Sequence, residues 1–399
     1  MKGWEVTKLK DVCEKITVGH VGSMARNYKY CGIPFLRSQN IRPYSISLEN
    51  LVFIDEDFNK KLKKSMLHPG DLVIVRTGYP GTAAVIPKSL PECNCSDLVI
   101  VRPSKKVNAK YLCYIFNSVF GKDLVVGRLV GVAQQHFNIT TAKELRLNLP
   151  PRIIQRKIAA VLSAYDDLIE NNNRCISILE KMAEELYHEW FVRLRFPGHE
   201  RVKIVKGVPE GWEVKKIRDV VERKHFGKIY REYELSSEGR TIVIDQSTND
   251  YLGFYNGEPE HKASIEKPIV LFGDHSCKMQ LMIEPFSLAE NVIPFTGKVL
   301  IPTMFLFYLI HNSIETIEYK RHWTDLINRE VLIPNIDLRI AFSQILVPNT
   351  VLTERLLLAN RKLKKCRDML LSRLMSGAID VENLGIEFPK SMQEEAIDA

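Results

Sequence analysis

From Ile154 the positions Ile154, Ile158, Val161, Tyr165, Leu168, Asn172, Cys175, Leu179, Met182 and Leu186 step by four and three residues without a break. That spacing is the narrow seam of a coiled-coil helix, not the broader stripe of a globular one. Pro150 and Pro151 open the run, where a missing N–H costs nothing, and Phe196-Pro197-Gly198 closes it. Asn172 stands on the seam, where a buried polar group fixes register at some cost in stability. Pro151 to Trp190, forty residues, predicts a rod of about 60 Å. A rod of that length serves to hold two things apart at a set distance.

The chain on either side of the rod repeats itself. Gly3-Trp4-Glu5-Val6-Thr7-Lys8-Leu9-Lys10-Asp11-Val12 returns 208 residues later as Gly211-Trp212-Glu213-Val214-Lys215-Lys216-Ile217-Arg218-Asp219-Val220, with seven of ten positions identical. Tyr111–Ile115 answers Phe305–Leu309, and Leu149-Pro150 answers Ile333-Pro334. Three anchors in one order make this a tandem duplication, with the second copy shorter in its loops.

Each copy reads as a globular part followed by a long helix. Apolar runs bounded by Gly and Pro predict strands at Leu51–Ile54, Leu72–Val75, Ala83–Ile86 and Leu98–Val101, then a helix near Lys110–Ser118. The second copy offers Thr241–Ile244, Ile269–Phe272, Asn291–Pro294 and a helix near Thr303–Asn312. Its long helix is expected from Ile336 to Ser376, ended by Gly377, with a seam through Leu352, Leu356, Ala359, Leu363, Cys366 and Leu370. Pro348 predicts a kink or break near its start. The residues after 385 lack an apolar period and read as a frayed tail.

The expected fold is therefore α+β: two strand-rich domains, 1–149 and 200–334, separated by two long helices, 150–199 and 335–385, that pair as an antiparallel coiled coil, with a tail at 386–399. Antiparallel pairing would place the domains at opposite ends. The competing reading is two unrelated core helices inside one large domain.

Lys and Arg outnumber Asp and Glu by 56 to 48, a mild excess that suits a polyanionic partner without requiring one. Met1–Glu5 carries no apolar signal core, and the longest apolar run, Met304–Ile310, is far short of a bilayer span, so the expectation is a cytosolic protein without membrane contact. Cys93 and Cys95 form the only close cysteine pair, with no second pair or His pair to complete a tetrahedral metal site. No phosphate-binding GxxxxGK[ST] run, Gly-rich nucleotide turn or HExxH appears. The nearest approach to the Asn-Pro-Pro-aromatic motif of amino-methyltransferases is Asn148-Leu149-Pro150-Pro151, whose prolines the helix start already explains.

What remains is a set of polar, basic loops between strands. In the first copy they carry Arg26, Lys29, Arg37, Gln39, Arg76 and Tyr79; in the second, Arg223, His225, Lys228, His275 and Lys278. Lysines and arginines neutralise phosphates, while Arg, Gln and His read base edges. Taken singly, each loop is an ordinary solvated turn. Two such sets on a rigid spacer are a more specific constellation.

Several of these elements resemble the specificity subunits of Type I restriction–modification systems. The matching stretches are Gly3-Trp4-Glu5-Val6 and its repeat at Gly211, Pro69–Gly78 with Phe272-Gly273-Asp274-His275, and Leu149-Pro150-Pro151 leading to Gln155–Ala159. Leu186–Phe191 and Leu371–Gly377 match at the two helix ends. Ile154 departs from the family, which usually has an acid before Gln155, and the second helix departs at Asn335 and Pro348.

The resemblance implies that each globular part is a target recognition domain reading half of a split, asymmetric site in double-stranded DNA. It implies that the helices, through Ile158, Tyr165, Leu168, Asn172, Leu179, Leu352, Leu356, Leu363 and Leu370, form the spacer and dock modification (methyltransferase) subunits, to which restriction (endonuclease/translocase) subunits add. No catalytic residue, metal or cofactor is expected in this chain; S-adenosylmethionine, ATP and Mg belong on the partners. The partners would flip the target adenine out of the stack. The spacer would set the two contacts one to two duplex turns apart, at about 34 Å per turn. Two other classes compete: a nuclease or methyltransferase with an unrecognised motif, and a coiled-coil scaffold that binds only protein.

Overall fold

The computed structural model describes residues 3–24, 26–90, 92–127, 137–247, 249–311, 313–314 and 320–393. The chain divides into two compact units, residues 1–171 with 360–399, and residues 172–359. Each unit holds one globular part and a half of each long helix.

In the first unit, Glu5–Lys8 pairs antiparallel with Arg146–Leu149, in the register Glu5↔Leu149 to Lys8↔Arg146. Two of the three sequence anchors thus bond to each other at the foot of the domain, immediately before the central helix. A four-stranded antiparallel sheet follows, in the spatial order Cys13–Val18, Leu98–Pro103, Leu72–Val75, Ala83–Val85. Val52–Ile54, Ile33–Leu36 and Asn94–Cys95 form a second sheet, whose last pair is parallel. The strands Leu72–Val75 and Leu98–Val101 are buried along both faces, because Ala109–Asn117 covers one side and Leu36, Ile41, Leu67 and Cys95 pack on the other. That is why they read as continuous apolar runs.

The second unit repeats this plan. Glu213–Lys216 pairs with Glu330–Ile333, again just before a long helix and in the same sense, Glu213↔Ile333 to Lys216↔Glu330. Its four-stranded sheet runs Val221–Arg223, Val292–Gly297, Ile269–Gly273, Met279–Met282, and its three-stranded sheet runs Gly253–Tyr255, Thr241–Ile244, Phe286–Leu288, the last pair parallel. The helix Thr303–Ile310 stands where Ala109–Asn117 stands in the first copy.

The central helix spans Arg152–Tyr187 and ends in a π turn, His188–Val192; the C-terminal helix spans Ile336–Met375. The starts are fixed by side chains. Gln155, 2% exposed, accepts from the Asn108 backbone N–H (2.9 Å) and donates to the Pro150 carbonyl (2.9 Å). Arg339, its counterpart 184 residues on, donates instead to the Leu300 carbonyl (2.6 Å), and Asn335 accepts from the Leu338 N–H (3.0 Å). In the first unit the helices run antiparallel: Asp166 meets Arg367, and Lys157, nearer the start of its helix, reaches the carbonyls of Val381, Glu382 and Leu384.

Three expectations need correction. Pro348 neither breaks the C-terminal helix nor ends it. Pro348 and Gln344, whose carbonyl loses its N–H partner, are both exposed, so water can satisfy the freed group. The tail from Ile386 to Met392 does not fray: Ile386 and Phe388 pack on the first unit's core, Met392 is 1% exposed, and the Arg156 guanidinium lies 4.8 Å from the Phe388 ring. Three apolar side chains at uneven spacing plug into a core without any period.

The third correction concerns the seam. Ile158 and Asn172 are buried, and Tyr165 and Leu179 half-buried, but Leu168 and Met182 are exposed. The buried partners in those turns are Leu162, Ile169, Ile176 and Ala183, each one residue later than expected. The C-terminal helix behaves alike: Leu356, Leu363 and Leu370 are half-buried, while Leu352 and Cys366 are exposed and Asn360 and Arg367 are buried. Half of each heptad was placed rightly and the other half was out of phase by one residue.

Candidate nucleic-acid interface

A parallel strand pair sends both of its chain ends out on the same side of a sheet. In the first unit, Ile33–Leu36 and Asn94–Cys95 exit together, and the Ser96 N–H still reaches the Leu36 carbonyl (3.0 Å). Arg37 and Asp97 therefore leave the sheet side by side. Leu72–Val75 delivers Arg76 and Thr77 to the same place: Arg76 Nη1 donates to Asp97 Oδ1 (2.9 Å) and Thr77 Oγ1 to Asp97 Oδ2 (2.7 Å). Arg76 Nε also reaches the Phe137 carbonyl (3.3 Å). His20 joins through its backbone, accepting from the Asp97 N–H (3.1 Å). Asp97 holds a left-handed φ of 53°, which short polar side chains tolerate best.

The second unit builds the same end with different side chains. Ile244 and Leu288 exit together, with the Ala289 N–H on the Ile244 carbonyl (2.9 Å). Asn291 takes the place of Asp97, with φ at 61°. Asp274 takes the place of Arg76: its carbonyl accepts from the His322 N–H (2.8 Å), as the Arg76 carbonyl does from Phe137 (3.3 Å). The Asp274 carboxylate accepts from the His322 and Trp323 N–H groups (3.1 and 2.9 Å), and Arg321 approaches to 3.8 Å. The Gln246 side chain accepts from the His275 N–H (3.0 Å), and Lys278 Nζ donates to the Asn249 carbonyl. Burial pushes the Lys278 ammonium below its ordinary range, with Asp245 and Asp250 opposing.

The remaining predicted residues are scattered around these ends. Gln39 and Arg26 are exposed, and Tyr79 at the tip of the Arg76 loop is 84% exposed. The Arg37 guanidinium is half-buried, donating to the Asn50 carbonyl (2.5 Å) and lying 5.7 Å from the Tyr28 ring. Lys29 pairs with Phe53 on the outer edge of the three-stranded sheet, 3.8 Å from Asp55. Arg223 stacks on Phe226 (4.6 Å), and His225 accepts from the Gly227 N–H (2.9 Å). Lys228 is held between the Tyr230 ring (4.4 Å) and Glu234 (3.2 Å). The His275 ring contacts the Lys320 carbonyl (3.1 Å).

Sequence reasoning passed over Asp97, Gln246 and Asn291. The repeat held the signal for two of them: Asp97-Leu98 and Asn291-Val292 are each an Asp or Asn directly before a strand, 194 residues apart. Among the described residues no cluster of His, Cys, Asp and Glu is arranged to hold a metal, and no helix is long and apolar enough to cross a membrane.

The geometry defines a duplicated protein, one fold used twice with non-identical polar ends on equivalent strands. Residues 1–181 match the family model described as the Type I restriction modification DNA specificity domain. The chain is 25% identical over 420 residues to the MjaIX Type I restriction enzyme specificity subunit of Methanocaldococcus jannaschii, covering 96% of this chain and 95% of that one. A putative MjaX specificity subunit of the same organism is 25% identical, covering 79% and 77%. The crystal structure of a Type I system S subunit from M. genitalium shares the fold, with a TM-score of 0.55 at 14% identity over 93% of this chain and 96% of that one. The first 181 residues thus match that specificity domain, and nearly the whole chain is similar to Type I restriction enzyme specificity subunits.

Proposed function

We propose that this chain is the DNA-recognition subunit of a Type I restriction–modification complex, with residues 1–149 and 200–334 each reading one half of a bipartite, asymmetric site. It recognises and does not catalyse. The observation that carries the two-half reading is the pair of equivalent strand ends: Arg76, Thr77 and Asp97 in one copy, Asp274, Gln246 and Asn291 in the other. Two domains of one fold placed on a duplex with equivalent geometry differ in sequence preference only through such substitutions. Exposed Tyr79, Gln39 and Arg26 in the first copy, and exposed Arg223 with half-buried His275 and Lys278 in the second, flank these ends and supply phosphate and base-edge contacts.

The helices act as spacer and as dock. Leu168, Met182 and Leu352, outside the seam and 46%, 56% and 45% exposed, offer apolar surface to the modification subunits. Those subunits bring S-adenosylmethionine, and restriction subunits bring ATP and Mg. The complex works in the cytoplasm.

The test is selection of duplexes from a randomised pool by the complex assembled with its modification subunits. Asp97→Ala should relax base preference in one half-site by about 10- to 100-fold at a position, the worth of one bidentate contact. Asn291→Ala should do so in the other half-site only. If both variants alter the same half-site, or neither alters any, the assignment of one half to each domain is wrong.

A further inference from the structure

An arginine stands where the helix seam calls for a leucine. Arg367 is 9% exposed, and its guanidinium donates to Asp166 Oδ1 on the central helix (2.6 Å) and to Asp368 (2.9 Å). The ring of Tyr44 lies 4.1 Å beneath it. The second oxygen of Asp166 accepts from the Tyr114 hydroxyl, which also lies 3.3 Å from Ser163 Oγ. The Tyr44 and Tyr114 rings pack 5.2 Å apart. Burial alone would push the guanidinium's pKa down, but Asp166, Tyr44 and Asp368 raise it above its ordinary value, so the arginine stays charged.

Two properties set this network apart from an ordinary ion pair. It lies on the seam, where apolar residues at heptad spacing are interchangeable and permit sliding; a slip of one heptad would carry Arg367 about 10 Å from Asp166, leaving the buried guanidinium only Asp368 of its own helix and the half-buried Asp166 without its cation. It also joins four segments of the first unit: both long helices, the helix Ala109–Asn117, and the turn at Tyr44, whose φ is 70°. The contact that fixes helix register therefore also fixes how the first globular part is seated on the helices.

We propose that Arg367, Asp166, Tyr114 and Tyr44 form a register lock that sets the spacing at which the first half-site is read. They are positioning residues and touch no DNA. The proposal rests on the reading of the chain as a bipartite DNA-recognition subunit. Helix length then fixes the coarse gap and the lock selects a single value.

The experiment selects, with the assembled complex, from a pool in which the gap between the two half-sites varies one base pair at a time. The wild type should select one gap length. Arg367→Met should spread selection over neighbouring gap lengths with both half-sites unchanged, and the exchanged pair Asp166→Arg with Arg367→Asp should narrow it again. Asp166→Asn, which keeps shape and some hydrogen bonding, serves if Arg367→Met does not fold. A folded variant that melts earlier yet selects the same single gap would reduce the network to a structural pair and overturn the proposal. A wild type that selects half-sites with no fixed gap would overturn the bipartite reading itself, a result distinguishable from the first.

Discussion

Trp4 and Trp212 occupy the same place in the repeat, yet they live in different surroundings. Trp212 is 7% exposed and lies under Phe196 (5.2 Å) and Phe191 (6.0 Å), the residues that follow the central helix. Trp4 is half-buried and lines an open cavity of about 490 Å³ with Pro151, Ile154, Ile379, Asp380 and Val381. The end of the C-terminal helix and the segment after it supply Leu374, Met375 and Ile379 where the residues after the central helix supply Trp190, Phe191 and Phe196. One backbone plan therefore carries two cores, aromatic in the second unit and aliphatic in the first at this junction. The same divergence recurs deeper in: Tyr114 binds an Asp–Arg pair, while the side-chain neighbours of its counterpart Tyr308 include Glu180 and Glu184. Duplication kept the strands that position the domains and released the side chains that fill them.

The contrast predicts unequal costs for equivalent truncations. Phe342 is fully buried, and its ring lies within 6.2 Å of Tyr187, Trp190, Phe191, Phe305 and Tyr308. Its counterpart in the first unit is Ile158, 1% exposed. Phe342→Ala should destabilise the second unit by about 4 to 5 kcal/mol, and Ile158→Ala the first by about 3. Hydrogen exchange read by mass spectrometry reports each unit separately. Equal losses, or losses in the other order, would erase the distinction between the two junctions.

A second, smaller effect tests the phase of the seam. Ile169 is 7% exposed and Leu168 is 46% exposed, although they are adjacent and both apolar. Ile169→Ala should cost about 2 to 3 kcal/mol and Leu168→Ala under about 1. If Leu168 proved the costlier, the seam would run through it as periodicity first suggested.

That phase error shows what the sequence could and could not convey. Val161 and Leu162, Leu168 and Ile169, and Cys175 and Ile176 are adjacent apolar pairs, so both seams satisfy a hydrophobic count. What decides between them is polar. Asn360 and Arg367 occupy the true seam of the C-terminal helix, and a count of apolar residues passes over an arginine whose partner, Asp166, lies 201 residues away. The helices themselves were legible to within a residue or two, because proline and glycine mark their ends. The strands Leu72–Val75 and Thr241–Ile244 were legible as continuous apolar runs. Ile33–Leu36 was not, since Pro34 argues against a strand, and Asn94–Cys95 is too short to announce itself. Those two are the parallel pair on which the candidate site stands. The basic loops were visible as composition, but their grouping around Asp97 and Asn291 exists only once that pair has formed.

The smallest expected effect is a difference in acid sensitivity. In the second unit burial shifts the imidazoles of His261 and His311. Burial lowers the pKa of His261, with the Phe226 carbonyl and Glu260 opposing, and burial lowers that of His311, with Glu184 opposing. A base whose folded value lies below its unfolded value of about 6.5 binds fewer protons when folded, so stability falls as pH drops through that value. Glu180 works against this trend: burial, with Glu184 and Asp250, raises it, so the folded state gains protons there above the ordinary carboxylate range. In the first unit, Glu144 is held at about 2 by its bonds to Lys10 and Lys8. Its contribution is present above about pH 4.5 and is lost only as pH falls toward 2, and its exposure to solvent keeps it slight. Between about pH 6.5 and 5, then, the second unit should soften slightly while the first holds. Hydrogen exchange at about pH 7 and 5.5, corrected for the intrinsic rate, measures this directly, and His311→Gln should flatten the second unit's slope. Equal softening of both units, or a slope indifferent to His311 and His261, would show that their divergence in side chains does not extend to how they titrate.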